Sequence, residues 1–166
     1  PIGDDMRIIA ILNNKDVTLS FEVFPPKTDD KYADVEKAAA EIAALKPDFM
    51  SVTYGAGGGT SKNTANISAD LQDKYGVNVL AHLTCVSSTK EDVKSMISVY
   101  KEKGIENIMA LRGDIPKEGR ICYDYDHATQ LISDIKSLDE NICIGGACYP
   151  EGHVECARQS EDIIHD

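Results

Sequence analysis

Residues 18–26 read TLSFEVFPP, a short apolar and β-branched run that ends at two consecutive prolines. Because proline fixes φ and has no backbone N–H, Pro25 and Pro26 cannot continue a strand, and the run predicts a strand over Thr18–Phe24. The following residues, from about Asp30 to Leu45, are rich in Ala and Glu and predict a helix. A strand that leads into a crossover helix is the repeating unit of a parallel sheet.

The same order of strand and helix repeats along the chain. Further strands are predicted at Phe49–Tyr54, Asn78–Cys85, Asn107–Leu111 and Ile142–Cys148. Further helices are predicted at Ser61–Lys74, from a cap at Ser88 or Thr89 to a stop at Lys103-Gly104, and at Asp126–Leu138, with a short amphipathic segment at Met6–Leu12. Five such units, with polar and Gly-rich residues after the strands, predict an α/β fold of the (β/α)8 TIM-barrel type.

A complete TIM barrel needs roughly 250 residues, whereas the chain has 166. We therefore expect a single partial barrel domain over residues 1–166, truncated at its C-terminus and lacking three units. The alternative is a complete, doubly wound five-stranded sheet, which would suit the length. Against it, neither G-x-G-x-x-G nor GK[ST] follows the first strand.

Composition narrows the classes of partner. The formal net charge of −11 disfavours nucleic acid and anionic membranes, and no apolar stretch approaches the roughly 20 residues of a membrane span. Five cysteines without a C-x-x-C pair, and no visible export signal, favour reduced thiols and a cytoplasmic location. The group Cys143, Cys148, His153 and Cys156 matches no standard zinc pattern, partly because the first two fall in one predicted strand, so we expect no metal.

Ligands of parallel α/β folds bind at the C-terminal ends of the strands. The polar residues expected there are Glu22, Thr53, Tyr54, His82, Thr84, Arg112, Asp114, Tyr149 and His153. Glu22 is the least expected, because it stands within an apolar strand. If it points into the barrel, burial would favour a neutral acid that can donate a proton near neutral pH. If it faces outward, it merely solvates an edge, and strand alternation alone does not choose between the faces.

Other motifs keep two interpretations when taken singly. Arg112-Gly113-Asp114 offers a cation and a carboxylate to a phosphate or planar heterocycle, but is also common as a surface turn. His82 is a ligand or a core histidine. The glycine-rich run at 55–59 admits a ligand close to the backbone or is a loose loop, and residues 149–153 form a stacking site or a turn.

Taken together and in order, these pieces resemble the methylenetetrahydrofolate reductase family. The matching segments are SFEVFPPK at 20–27, SVTYGA at 51–56, AHLTC at 81–85, ALRGD at 110–114 and YPEGH at 149–153. The resemblance implies a barrel that binds FAD, takes hydride from NADH or NADPH and reduces 5,10-methylenetetrahydrofolate to 5-methyltetrahydrofolate, in one-carbon metabolism.

The resemblance also implies residue roles. Glu22 matches the general acid that protonates folate N10, Asp114 the carboxylate that contacts the pterin near the flavin, and Thr53 a nicotinamide-nucleotide contact. The other matches are to FAD contacts: Tyr54, Ala56, His82, Arg112, Gly113, Ala128, Tyr149, His153, Asp162 and His165. Family members are commonly homo-oligomers, and some work with a partner subunit. Two other functions stay open: a non-catalytic remnant that binds flavin or a partner, and an unrelated α/β enzyme with Glu22 and Asp114 as an acid and base pair.

Overall fold

A computed structural model describes residues 7–26, 29–54, 61–116, 119 and 122–152. The strands are β1 (Ser20–Val23), β2 (Phe49–Val52), β3 (Val79–Thr84), β4 (Asn107–Leu111) and β5 (Cys143–Gly146). The α-helices are α1 (Ile8–Asn14), α2 (Tyr32–Ala43), α3 (Ser61–Tyr75), α4 (Lys90–Glu102) and α5 (Ala128–Leu138), and a 3-10 turn at Asp29–Lys31 precedes α2.

The strands form one parallel sheet in the order β1-β2-β3-β4-β5. A doubly wound sheet reverses its strand order part-way, so that its right-handed crossovers place helices on both faces. The described sheet contains no such reversal, and its crossovers therefore place successive helices on the same face. This is the arrangement of a β/α barrel wall, and it excludes the doubly wound alternative for these five strands.

The core lies between the sheet and the helices. One buried cluster joins β1 to β3 with α2 and α3 through Val23, Val52, Ala39 and Leu71. A second cluster continues it across the rest of the sheet and packs α4 and α5 against β3 and β4. Because alternate strand residues share a face, the remaining strand residues point away from these helices. We call that opposite surface the inner face; its central members are Glu22, Ser51, His82, Met109 and Gly145.

The N-terminal helix contacts the end of the sheet where the strands begin. The backbone N–H of Ile8 donates to Asn107 Oδ1 at 2.7 Å, and Asn107 Nδ2 donates to the Val79 carbonyl at 3.1 Å. Asn107 is buried, so its side chain joins α1, β3 and β4 through satisfied hydrogen bonds. This end lies opposite the C-terminal strand ends, which α1 leaves open.

Four of the five predicted strands were too long, and the first and the last most of all. Leu19 N–H donates to the Asp48 carboxylate rather than to a neighbouring strand, and β1 begins only at Ser20. At the other edge β5 ends at Gly146, whose partner in β4 is Ala110. The prediction that Cys143 and Cys148 share a strand was therefore wrong, and Cys148 is exposed beyond the strand end.

Within the described ranges, no helix has both the length and the apolar character needed to cross a membrane. Among the same residues, no three His, Cys, Asp or Glu side chains gather into a group that would hold a metal ion. Four of the cysteines are described, and all four are free thiols.

Candidate active site

Glu22 lies on the inner face, in the third position of β1. Its Oε2 accepts a hydrogen bond from Ser51 Oγ at 3.1 Å and lies 3.6 Å from His82 Nε2. The Glu22 side chain is 44% exposed in the described part of the chain, so it is only partly buried. Of the two directions that the sequence leaves open for Glu22, the structure has the inward one, with part of the side chain exposed.

His82 lies on β3, and its side chain is close to that of Glu22 and only 12% exposed. Burial lowers the pKa of the imidazole, and the nearby Glu22 carboxylate opposes that shift only in part. At neutral pH the ring is therefore uncharged, and at 3.6 Å the two side chains make a contact rather than an ion pair. The His82 carbonyl accepts a hydrogen bond from the buried Tyr100 hydroxyl at 2.8 Å, which ties this strand to α4.

The turn after β4 holds Arg112, Gly113 and Asp114 against the end of β3. The Arg112 carbonyl accepts from the Val86 N–H at 2.7 Å, and the Arg112 Nε donates to the Gly113 carbonyl at 3.0 Å. Gly113 has φ +82°, and a Cβ there would lie 2.9 Å from Thr84 Cβ. Glycine is thus required twice, once for the left-handed backbone and once for the close approach. Asp114 follows on an exposed position.

Thr53 and Tyr54 follow β2 and point to opposite sides of the sheet. Thr53 N–H donates to the Val23 carbonyl at 3.0 Å, and its own carbonyl accepts from Thr64 Oγ1 at 2.8 Å. Tyr54 packs against the helix-side core, where burial raises the pKa of its hydroxyl and Ser61 hydrogen-bonds to it. Thr53 is therefore fixed at the open strand end, while the Tyr54 ring is turned away from the inner face.

A protein-family model described as "Methylenetetrahydrofolate reductase" matches residues 7–165 of this sequence. The chain belongs to the methylenetetrahydrofolate reductase family. The resemblance carried by its five strand-end motifs is thereby confirmed.

Individual proteins similar to this chain also bear the name of the methylenetetrahydrofolate reductase family. The chain is 36% identical over 149 residues to the 5,10-methylenetetrahydrofolate reductase of Pectobacterium carotovorum subsp. carotovorum, covering 90% of this chain and 49% of that protein. It is 31% identical over 150 residues to the Escherichia coli K12 protein of the same name, again with 90% and 49% coverage. Methylenetetrahydrofolate reductase 2 of Schizosaccharomyces pombe is 33% identical over 97% of this chain and 27% of its own length. The chain spans about half the length of the bacterial relatives it matches.

The fold of this family member is also found in an enzyme of distant sequence. A solved structure of the 4-hydroxy-tetrahydrodipicolinate synthase from Methylacidiphilum fumariolicum SolV aligns with a TM-score of 0.54 at 11% identity, over 81% of this chain and 45% of that one. At that identity the likeness concerns the fold alone. Together with the strand order, it confirms a TIM-barrel architecture, of which the described sheet provides five consecutive strands.

The remaining family matches fall at the same end of the sheet or outside the described residues. Ala128 is the first residue of α5 and is half-buried, and Tyr149 follows β5 with 43% of its surface exposed. Helices of a β/α barrel begin where the strands end, so both lie at the C-terminal edge of the sheet. Four predicted contacts lie outside the described residues: Ala56, His153, Asp162 and His165.

Sequence reasoning did not single out Ser51 or Tyr100. Ser51 donates to Glu22, and Tyr100 hydrogen-bonds to the backbone of His82. Alternation from Thr53 places Ser51 on the same face as Thr53, which was the available signal. Its alignment with Glu22 depends on the register between two strands, which the sequence does not display. Tyr100 lies in the last turn of α4 and carries no motif.

Proposed function

We propose that this chain takes part in the FAD-dependent reduction of 5,10-methylenetetrahydrofolate to 5-methyltetrahydrofolate, with NADH or NADPH as hydride donor. Family membership supports the reaction, and the names of the relatives support the substrate. The observation that carries the proposal is the placement of Glu22: a carboxyl group on the inner face of a barrel sheet, anchored at one oxygen and open on its other side.

The residue types at the strand ends are ones that can bind a flavin dinucleotide. Its anionic diphosphate needs local donors because the chain carries a formal net charge of −11, and the Arg112 guanidinium is such a donor. The exposed Tyr149 ring offers a stacking surface. Gly145 leaves the inner face of β5 without a side chain of its own, and the flexible Met109 side chain lies 3.4 Å from the position that a Cβ would take. When bound, FAD would accept a hydride from the nicotinamide and pass it to the folate.

Glu22 supplies the proton in this proposal. A folate on the inner face would cover the exposed half of the side chain and exclude water, which favours the neutral acid over the carboxylate. The acid then protonates folate N10, and the five-membered ring opens to an electrophilic iminium. Neutral His82 adds no positive charge beside Glu22 and so does not favour the carboxylate over the acid.

Asp114 and Thr53 would hold the two substrates. Asp114 is exposed after β4, and its carboxylate can accept hydrogen bonds from the amino and ring N–H groups of a pterin. Thr53 is fixed at the end of β2 through its backbone, so its hydroxyl is available to a nicotinamide nucleotide. Tyr54 would contact FAD only through its backbone, because its ring packs on the helix side.

An absorbance spectrum tests this function. The protein is purified in its longest natural form without added flavin, and its spectrum is recorded before and after anaerobic addition of NADH or NADPH. We expect flavin bands that bleach with the reductant and return on addition of 5,10-methylenetetrahydrofolate. A colourless protein that FAD does not reconstitute would overturn the proposal.

A further inference from the structure

Among the described residues, Ser51 is the one whose side chain donates a hydrogen bond to Glu22. It lies in β2 on the inner face and is buried, and its Oγ donates to Glu22 Oε2 at 3.1 Å. The two residues are direct partners in the parallel register of β1 and β2. Their Cα positions are therefore set by the sheet itself rather than by a loop.

The register makes this contact rigid. The pairs Phe21↔Met50 and Val23↔Val52 flank Glu22↔Ser51 on either side. Met50, Val52 and Val23 are all buried on the opposite, helix-packed face, so a shift of β1 against β2 would disturb the core. The serine has a short side chain, and its hydroxyl consequently reaches only a small region around the carboxyl group.

The hydrogen bond makes the two carboxyl oxygens inequivalent. Oε2 accepts the hydrogen bond from the Ser51 hydroxyl and also lies 3.6 Å from His82 Nε2, so both neighbouring side chains contact this oxygen. Oε1 has neither of these contacts. A carboxylic acid carries its proton on one oxygen, and the oxygen that already accepts an O–H is the less favourable place for it.

We propose that Ser51 is a positioning residue for Glu22: it holds Oε2 so that the transferable proton resides on Oε1, facing the open inner face. This inference rests on the proposed function. In the step it serves, the Oε1–H bond breaks, an N–H bond forms at folate N10, and Glu22 is left as a carboxylate. The negative charge left on the carboxylate is stabilised by the Ser51 O–H, and solvent returns the proton after product release.

A purely structural role predicts something different. A buried serine hydroxyl needs a partner, and Glu22 could serve only to satisfy it. In that case, replacing Ser51 would change stability without changing how Glu22 titrates or donates its proton. Ser68 gives a matched comparison, because its hydroxyl is buried in α3 and has no hydrogen-bond partner among the described residues.

The experiment compares three variants of the purified protein: Ser51→Ala, Ser51→Thr and Ser68→Ala. The first removes the donor, the second keeps a hydroxyl on a residue that strands accept well, and the third makes the same chemical change away from Glu22. The first readout is the infrared carboxyl band of Glu22 against pH, without flavin or folate, with Glu22→Gln identifying the band. The second is the pH profile of folate reduction, together with NADH-driven flavin reduction.

We expect S51A to move the pH midpoint of the Glu22 band upward, because the carboxylate loses a hydrogen-bond donor. Folate reduction should fall roughly tenfold in kcat, the size expected from one charge-assisted hydrogen bond, and the descending limb of its pH profile should move upward. S51T should restore both properties. Flavin reduction should stay unchanged, and S68A should match the unsubstituted protein in every readout.

An unshifted Glu22 band in S51A would overturn the inference, as would equal effects of S51A and S68A or a failure of S51T to restore the midpoint. These results are distinguishable from failure of the proposed function. If the unsubstituted protein reduces no folate, that function is wrong, whereas the infrared titration still reports whether Ser51 controls Glu22.

Discussion

At the scale of single residues, the site depends on how alternate side chains are divided between the two faces of the sheet. Glu22 and His82 point to the inner face, and their strand neighbours Val23, Ala81 and Leu83 anchor the helices on the other side. A substitution at an inner-face position should therefore change chemistry more than folding. Where the backbone leaves no room for a side chain, a substitution should instead change folding stability more than chemistry.

Gly113→Ala should destabilise the protein more than a glycine replacement in open space. Both Gly113 (φ +82°) and Gly104 (φ +67°) have left-handed backbones, but only at Gly113 would a Cβ meet another atom, Thr84 Cβ at 2.9 Å. We expect Gly104→Ala to cost about 1 kcal/mol from backbone strain and Gly113→Ala about 1–3 kcal/mol more from the clash. Urea unfolding of both variants measures the difference. Equal costs would show that the turn after β4 can move away from β3.

His82 should make stability depend on pH below neutrality. Burial lowers the pKa of its imidazole in the folded protein, so the unfolded chain takes up the proton first as the pH falls. Folding stability should therefore decrease as the pH drops through about 6.5, the ordinary value for histidine. His82→Gln should flatten this decrease between pH 7 and 5, as measured by urea unfolding at each pH. An unchanged slope would place the titrating group elsewhere.

At the scale of elements, the start of α4 was predictable because its signal is local. Thr89 was one of two predicted caps for α4. In the structure, Thr89 Oγ1 accepts from the Asp92 N–H at 3.1 Å, and the Thr89 N–H donates to the Asp92 carboxylate at 2.9 Å. The Thr89 hydroxyl, which donates to Asp92 Oδ2 at 2.7 Å, and the Thr89 N–H together lower the pKa of the Asp92 carboxyl. The reciprocal pair is a capping box, and it starts α4 at Lys90, after the short turn that follows β3.

Thr89→Ala should cost about 1 kcal/mol of folding free energy, because two backbone donors at the start of α4 lose their arrangement. Thr89→Ser retains the hydroxyl and should cost only a few tenths of a kcal/mol. Thermal or urea unfolding measures both variants. If the alanine variant were as stable as the serine variant, the capping box would not contribute to stability.

At the scale of the whole molecule, the order of elements was predictable and the contacts between strands were not. The predicted bounds of β4, Asn107–Leu111, agree with the structure, and the alternation of strands and helices gave the fold. The meeting of Glu22 with Ser51 required the register of β1 and β2, which depends on core packing rather than on any local motif. Alternation with Val52 predicts that the Tyr54 ring lies on the helix side of the sheet. The motif match instead pointed to an FAD contact, so this direction was not predicted.

The placement of Glu22 on the inner face joins these scales, because one carboxyl group lies on a strand of the barrel wall, is held by a neighbouring strand and faces open space. The most direct test is Glu22→Gln in the longest natural form of the protein, with the two half-reactions measured separately by stopped-flow absorbance. We predict that flavin binding and flavin reduction by NADH or NADPH stay close to those of the unsubstituted protein, while reduction of 5,10-methylenetetrahydrofolate is abolished. Folate turnover near the unsubstituted rate would contradict the assignment of Glu22 as the proton donor.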